Sequence, residues 1–273
     1  MPVRPALATE LLRLHHQDEP LLVMNAWDAA SAMLVQELGF RCIATTSGGV
    51  AAAHGYDDGE RIPRDAVIAT IERIARVTRL PLTADLEAGF GAAPAGVAET
   101  VRRALEAGAV GFNLEDGIEE GGRPGIRDAA EQAERLRAAR EACAAAGVPD
   151  AVINARVDVW LHQVGDPAGR ADEALRRARI YADAGASCVF PAGVRERDDI
   201  RAVVAGAPLP VNVLVLPGVP TVAELAELGV KRISVGTGWL RCALRAARDA
   251  AIEIREQGTY DALFGHAARL VPA

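Results

Sequence analysis

Eight short apolar runs punctuate the chain, each followed by a turn signal and then by helical periodicity. They are LLVMNAW (21–27), RCIATTS (41–47), LPLTADLE (80–87), GAVGFNLED (108–116), DAVINARVDV (150–159), ASCVFPAG (186–193), PLPVNVLVL (208–216) and KRISVGTG (231–238). Most are continuously apolar rather than alternating, the pattern of parallel strands covered on both faces. Between them, stretches such as AVIATIERIARVT (66–78), AGVAETVRRALEAG (95–108) and ADEALRRARIYADAG (171–185) repeat apolar positions at helical spacing. Gly108, Gly147, Gly185 and Gly229 fall just past predicted helix ends, and Thr221 with Glu224 has the form of a capping box. Eight strand–helix units in about 240 residues predict a (β/α)8 TIM-type barrel, a single domain spanning 1–273. An open doubly wound sheet is disfavoured, because none of SGGV, EAGFG and EEGGRPG supplies a GxGxxG turn. The tail over 258–273 reads as an extra amphipathic C-terminal helix. Its Leu263, Phe264 and Leu270 need an apolar partner, either on this barrel or on a neighbouring subunit, and a homodimer or homotetramer joined through this tail is expected.

Composition narrows the chemistry. The net charge of −7 argues against a nucleic-acid or anionic-membrane surface. No apolar run approaches the eighteen or so residues of a membrane span, and the N-terminus lacks a signal-peptide core, so a cytoplasmic protein is expected. Cys42, Cys143, Cys188 and Cys242 are scattered without a CxxC pair, which excludes a disulfide framework. Lys231 is the only lysine among 30 basic residues. Any Schiff base or phosphate-binding lysine would have to fall on it, yet it begins the eighth run, at the end of the barrel away from the chemistry, and reads as structural.

In a (β/α)8 barrel the polar residues at the C-terminal strand ends carry the information. Here they are Asn25, Trp27 and Asp28; Thr45, Thr46, Ser47, Gly48 and Gly49; Asp85 and Glu87; Asn113, Glu115 and Asp116; Asn154, Arg156 and Asp158; and Asn212. Residues two apart on a strand share a face, so Asp85 with Glu87, Asn113 with Glu115 and Asn154 with Arg156 can line one mouth. Three acids there, Asp85, Glu87 and Glu115, cannot all ionise without a cation. Oxygen ligands without His or Cys at the same strand ends select Mg²⁺, with Mn²⁺ as the alternative. Arg156 reads either as a carboxylate clamp or as an ion pair for Glu115, and Ser47-Gly48-Gly49 either as an anion nest or as a plain turn. Trp27, Trp160 and Trp239 wall the pocket or pack the core. His54 is a proton carrier or an ordinary loop histidine, and His162 lies beyond the metal shell, where it helps to cover the mouth.

These motifs, from NAWDAASAMLVQELGF through TTSGGVAAAHGYDD, ADLEAGFG, GFNLEDG, ARVDVWL and PVNVLV to SVGTGWLR, resemble the isocitrate lyase/phosphoenolpyruvate mutase superfamily over nearly the whole chain. The resemblance implies a Mg²⁺-dependent barrel with a swapped C-terminal helix. Asp85 matches the acid that contacts the metal directly, Glu87 and Glu115 match acids that hold its waters, and Asp58 matches a further acid near metal and substrate. Ser47, Gly48 and Gly49 match the turn that holds a substrate carboxylate; Arg156 and Asn212 match substrate-binding positions. The loop DGIEEGGRPGIRD (116–128) departs from the family, since it lacks the Cys of isocitrate-type lyases and the lysines and Asn of the mutases. Glu119, Glu120 and Arg123 act from a mobile lid there, or the segment is a solvated Gly-rich loop. FPAG after the sixth run replaces the Phe-Pro-Glu of the lyases and leaves that part of the pocket apolar.

The expected reaction is cleavage or decarboxylation of a C–C bond in a small 2-oxo or 2-hydroxy acid, oxaloacetate or a substituted malate, through an enolate. Asp58, Glu115 and Arg156 are the candidate catalytic residues. Trp27, Ser47, Gly48, Gly49, Asp85, Arg156 and Asn212 are candidates for binding substrate. Hydrolysis or rearrangement of a phosphonopyruvate P–C bond, and a non-catalytic 2-oxo acid binding protein, are the alternatives.

Overall fold

A computed structural model of the chain describes residues 3–121 and 123–264. Its strands are β1 (Leu21–Ala26), β2 (Ile43–Thr45), β3 (Leu82–Asp85), β4 (Gly111–Glu115), β5 (Gly117–Glu120), β6 (Arg123–Ile126), β7 (Val152–Val157), β8 (Cys188–Pro191), β9 (Asn212–Leu214) and β10 (Arg232–Ser234). Its α-helices are α1 (Pro5–Leu14), α2 (Ala29–Glu37), α3 (Ser47–Ala53), α4 (Arg64–Val77), α5 (Pro94–Glu106), α6 (Ala129–Ala145), α7 (Arg170–Asp183), α8 (Arg197–Gly206), α9 (Val222–Glu227), α10 (Gly238–Gln257) and α11 (Asp261–Phe264).

Eight of the strands pair in parallel in the order β8-β7-β4-β3-β2-β1-β10-β9. A bridge between Val189 and Val211 joins the two ends, so the sheet closes on itself as a TIM-type barrel. Each of the eight apolar runs supplies one barrel strand. The capping box at Thr221 and Glu224 starts α9. Lys231 caps the carbonyls of Gln17 and Asp18 through Nζ, a structural role away from the mouth.

Two segments differ from expectation. SGGV is not a free turn but the first turn of α3, because the Ala-rich residues behind it continue as helix. The loop after β4 is a two-stranded antiparallel hairpin, β5 paired with β6.

The barrel interior is polar. Thr83, Asn113, Asn154, Asn212, Arg232 and Ser234 are all buried. Arg232 reaches across from β10 to Asn113 Oδ1 on β4 (3.4 Å) and approaches His15 Nε2 (3.5 Å). Burial and the Arg232 charge push the His15 imidazole down to about 3, so it stays neutral. Helix α1 lies across the N-terminal end of the barrel, with His15 beside Arg232 and Leu11 against Gly111 at the start of β4. A Cβ at Gly111 would come within 2.8 Å of Leu11 Cδ2 and 3.0 Å of the Val152 carbonyl oxygen. Gly111→Ala is therefore expected to lower unfolding free energy by about 1–3 kcal/mol, read from urea denaturation; a change under about 0.5 kcal/mol would refute this tight seating of α1.

Candidate active site

The C-terminal end of β3 is tied to β2 and α3. Thr45 Oγ1 accepts from the Asp85 N–H (2.8 Å), and Asp85 Oδ2 accepts from the Ser47 N–H (3.1 Å). Asp85 Oδ1 is buried with no hydrogen-bond partner. The chain then turns through Glu87, Gly89 and Phe90, all with positive φ (50°, 98° and 54°). Left-handed conformations at Glu87 and Phe90 cost of order 1 kcal/mol or more each, and surrounding structure must hold them. Arg135 of α6 supplies that hold, donating to the carbonyls of Ala88 (2.5 Å), Gly91 (2.9 Å) and Ala92 (2.9 Å). Glu60 Oε1 accepts from the Phe90 N–H, and Glu87 Oε2 accepts from the N–H groups of Gly59 (2.8 Å) and Glu60 (2.6 Å).

On the next strands, Arg156 lies between two carboxylates, Glu115 (2.5 Å) and Asp158 (2.6 Å). Asp158 is anchored in turn by its N–H, which donates to Asp116 Oδ1 (2.9 Å). Asp116 Oδ2 accepts from Arg177 (3.0 Å) and the Tyr181 hydroxyl (2.7 Å). Burial opposes the Arg156 charge, but Asp158 and Glu115 outweigh it and hold the guanidinium well above its ordinary value.

Negative charge is in excess at this mouth. Asp58, Asp85, Glu87, Glu115 and Asp158 surround Arg156, while Asp116 has its own arginine. Burial first, and then the Asp85 carboxylate, push Glu87 up to about 8. Burial raises Glu115 well above the carboxylate range despite Arg156. Desolvation of its carboxyl group and the nearby Asp85 raise Asp58. A cation would relieve all three. Among the described residues no three His, Cys, Asp or Glu side chains converge as a direct ligand set. The donors instead fit an ion held directly by the unpartnered Asp85 oxygen and through water by Glu87 and Glu115, as suits Mg²⁺.

The structure thus brings together Asp58, Asp85, Glu87, Glu115 and Arg156. Ser47, Gly48, Gly49 and Trp27 join them from the β2 and β1 ends. A Cβ on Gly48 would touch Asp58 Oδ2 and Thr237 Oγ1 at 3.0 Å, and one on Gly49 would strike Thr46 Cγ2 at 2.4 Å. These glycines let α3 pack against its neighbours, and the Ser47 N–H at the start of that helix is committed to Asp85. Trp27 meets Trp239 edge to face, with centroids 5.3 Å apart. Asn212 is fully buried at the first residue of β9, its Oδ1 bonded to Ser234 and its Nδ2 unpartnered; it is placed in the interior rather than at the strand end. On the hairpin, Glu119 pairs with Arg61 (3.3 Å) and Arg123 is exposed; the Glu120 side chain lies outside the described residues.

Over residues 11–255 this sequence matches the phosphoenolpyruvate phosphomutase family. The chain belongs to that family, within the isocitrate lyase/phosphoenolpyruvate mutase superfamily. It is similar to the phosphomutase-superfamily enzyme 2-methylisocitrate lyase of Salmonella typhimurium (strain LT2), 33% identical over 253 residues that cover 89% of this chain and 83% of the relative. Among solved structures it resembles oxaloacetate acetylhydrolase in complex with the inhibitor 3,3-difluorooxalacetate, with a TM-score of 0.84 and 27% identity over 94% of this chain and 89% of the other. It also resembles 2,3-dimethylmalate lyase, with a TM-score of 0.82 and 28% identity over 93% and 86%.

The Glu87 shift makes a pH prediction for this phosphomutase-family barrel. Folded, Glu87 keeps its proton up to about pH 8; unfolded, it loses it near 4.5. The folded state therefore binds more protons between those values, and this contribution to stability declines as pH rises through the window. In EDTA, the fall in Tm from about pH 5 to about pH 8 is expected to flatten in Glu87→Gln; parallel slopes in both proteins would remove Glu87 as its cause.

Proposed function

We propose that the protein is a divalent-cation-dependent carbon–carbon lyase acting on a small 2-oxo or 2-hydroxy carboxylic acid. The observation that carries this reading is the excess of carboxylates around Arg156, with one Asp85 oxygen buried and unpartnered. Asp85 would hold Mg²⁺ directly, with Glu87 and Glu115 on its waters. The ion, when bound, supplies positive charge to an enolate oxygen. Arg156 is fixed by Glu115 and Asp158 before any ligand arrives, so it binds a substrate carboxylate with little reorganisation. Asp58, which lies beside Gly48, would hold a proton near the same ligand. Named relatives that cleave methylisocitrate, dimethylmalate and oxaloacetate support the substrate class.

Pyruvate or oxalate release from 2-methylisocitrate, 2,3-dimethylmalate and oxaloacetate tests the reading. Turnover is expected with Mg²⁺ and not in EDTA, and Asp85→Ala is expected to cut it by about 10³ or more. Asp85→Ala with unchanged activity would sink the metal assignment. Phosphate release from phosphonopyruvate alone would favour P–C chemistry, and tight Mg²⁺-dependent oxalate binding without any turnover would favour a binding protein.

The assembly belongs to the same proposal. Of the twenty residues of α10 only Leu240 and Ala250 are buried, while Leu244 (59% exposed), Tyr260, Leu263 and Phe264 (75%) face outward. Leu22, on the outer face of β1, is also uncovered. We infer a homodimer or homotetramer in which this helix and the tail over 258–273, of which 265–273 lie outside the described residues, cover a neighbouring barrel. Removing residues 258–273 is expected to lower the sedimentation coefficient; an unchanged assembly would exclude the tail from the interface.

A further inference from the structure

Between the β5–β6 hairpin and the barrel mouth lies a cavity of about 390 Å³, lined among others by Glu60, Glu115, Glu119, Arg127 and His162. Four of these five ionisable side chains are already engaged. Glu60 accepts from the Phe90 N–H, Glu115 pairs with Arg156, Glu119 with Arg61 and Arg127 with Glu131. His162 differs. Its N–H donates to the Asp158 carbonyl (2.9 Å), which fixes the residue in the turn after β7. Its ring Nδ1 lies 2.7 Å from the Gly125 carbonyl on the hairpin. A carbonyl only accepts, so Nδ1 carries the hydrogen, and in the neutral ring the lone pair is on Nε2. The ring also sits where a side chain on Gly117 would be: a Cβ there would fall 2.9 Å from His162 Cε1 and 2.4 Å from Asp158 Oδ2. Gly117 immediately follows the Glu115–Asp116 pair, so the imidazole packs against the base of the hairpin, next to the carboxylate that holds Arg156.

We propose that His162 is a catalytic proton carrier of this enzyme, acting from the cavity that it lines together with Glu115, with the hairpin setting its tautomer. The proposal rests on the lyase reading above. For a 2-hydroxy acid, Nε2 accepts the hydroxyl proton. The adjacent C–C bond breaks, and its electron pair passes to the departing carbon as the enolate of that fragment's carboxylate. The hydroxyl carbon becomes the carbonyl of a 2-oxo acid, and Nε2–H then returns the proton to the departing carbon. The imidazole ends each cycle neutral, and no oxidant or reductant is required. The hairpin, which contains no cysteine, lysine or histidine, thereby contributes by orienting a base that comes from another strand.

Two measurements test this on the full-length protein. Diethyl pyrocarbonate, which modifies a free imidazole nitrogen, is expected to label His162, with labelling slowed about tenfold or more by Mg²⁺ with oxalate, as read by peptide mass. His162→Asn retains an amide donor for Gly125 and lacks the Nε2 base. It is expected to lower kcat by about 10²–10⁴ while leaving KM and oxalate affinity within about threefold. If the side chain serves only to anchor the hairpin, His162→Asn rescues activity and His162→Ala does not, which overturns the proposal, as does labelling that oxalate leaves unprotected. A wild-type protein inactive on every acid tested removes the lyase reading and this step with it. An active wild type matched by an active His162→Asn removes this step alone.

Discussion

The constraint on which the site depends is the lodging of Arg156 between Glu115 and Asp158. An ion pair withdrawn from water holds only if every member is positioned, because an uncompensated buried charge costs several kcal/mol. The fold meets this by extending the network outward. Asp158 is fixed through its backbone by Asp116, Asp116 by Arg177 and Tyr181, and Arg177 by Glu173 on its own helix. A hydrogen-bonded chain of charged groups thus runs from the barrel mouth to α7, with the adjacent carboxylates Asp158 and Asp116 each paired to its own arginine. The strand ends β4 and β7 are locked together where a ligand carboxylate would have to be recognised.

The same charge balance accounts for the acids left over. Arg156 neutralises only part of the ring, so Glu87, Glu115 and Asp58 are all raised, each by desolvation before any neighbour. Protonation is one way to satisfy that electrostatics and a divalent cation is the other. On the proposed cation-dependent reading, the backbone holds the acids in place for the second. Glu87 and Phe90 occupy left-handed conformations that Arg135 pins through three carbonyls. An arginine spent entirely on a loop's backbone indicates that the loop's shape, and so the placing of Glu87 relative to Asp85, is what α6 supplies.

Much of this was legible in the chain and some was not, for physical reasons. The barrel follows from eight buried parallel runs, and Arg156 with Asp158 share a strand face by simple alternation. The role of Asp158 as the second arm of the clamp depends on its contact with Asp116, forty-two residues away, which no local pattern encodes. Arg135 sits in a helix rich in charge, with no local pattern to mark it out, and it is buried. Asn212, grouped by sequence with the strand-end polar residues, stands in the middle of the run 208–216. Only Asn212–Leu214 pair as β9, which places Asn212 at the strand's start and inside the barrel. The hairpin escaped because GIEEGGRPGI lacks the apolar alternation by which a strand pair is recognised, its pairing resting instead on the Gly-rich turn and on the close seat of Gly117.

That hairpin is also where the sequence resemblance leads one to expect a departure from the lyases and mutases of the family. A loop that carries its own nucleophile or lysine can deliver chemistry by closing. One composed of Gly, Glu, Arg, Pro and Ile can exclude water and orient other groups, but it brings no imidazole, thiol or amine of its own. On the proposed lyase reading, the proton-transfer group would come from the barrel itself, where the cavity wall offers an imidazole whose Nδ1 donates to the hairpin. If His162 is that base, a base in the barrel changes what closure of the hairpin would control. Closure would set the tautomer and direction of a residue already in place, so the geometry of the Gly125–His162 bond, rather than the arrival of a side chain, becomes the quantity on which turnover depends.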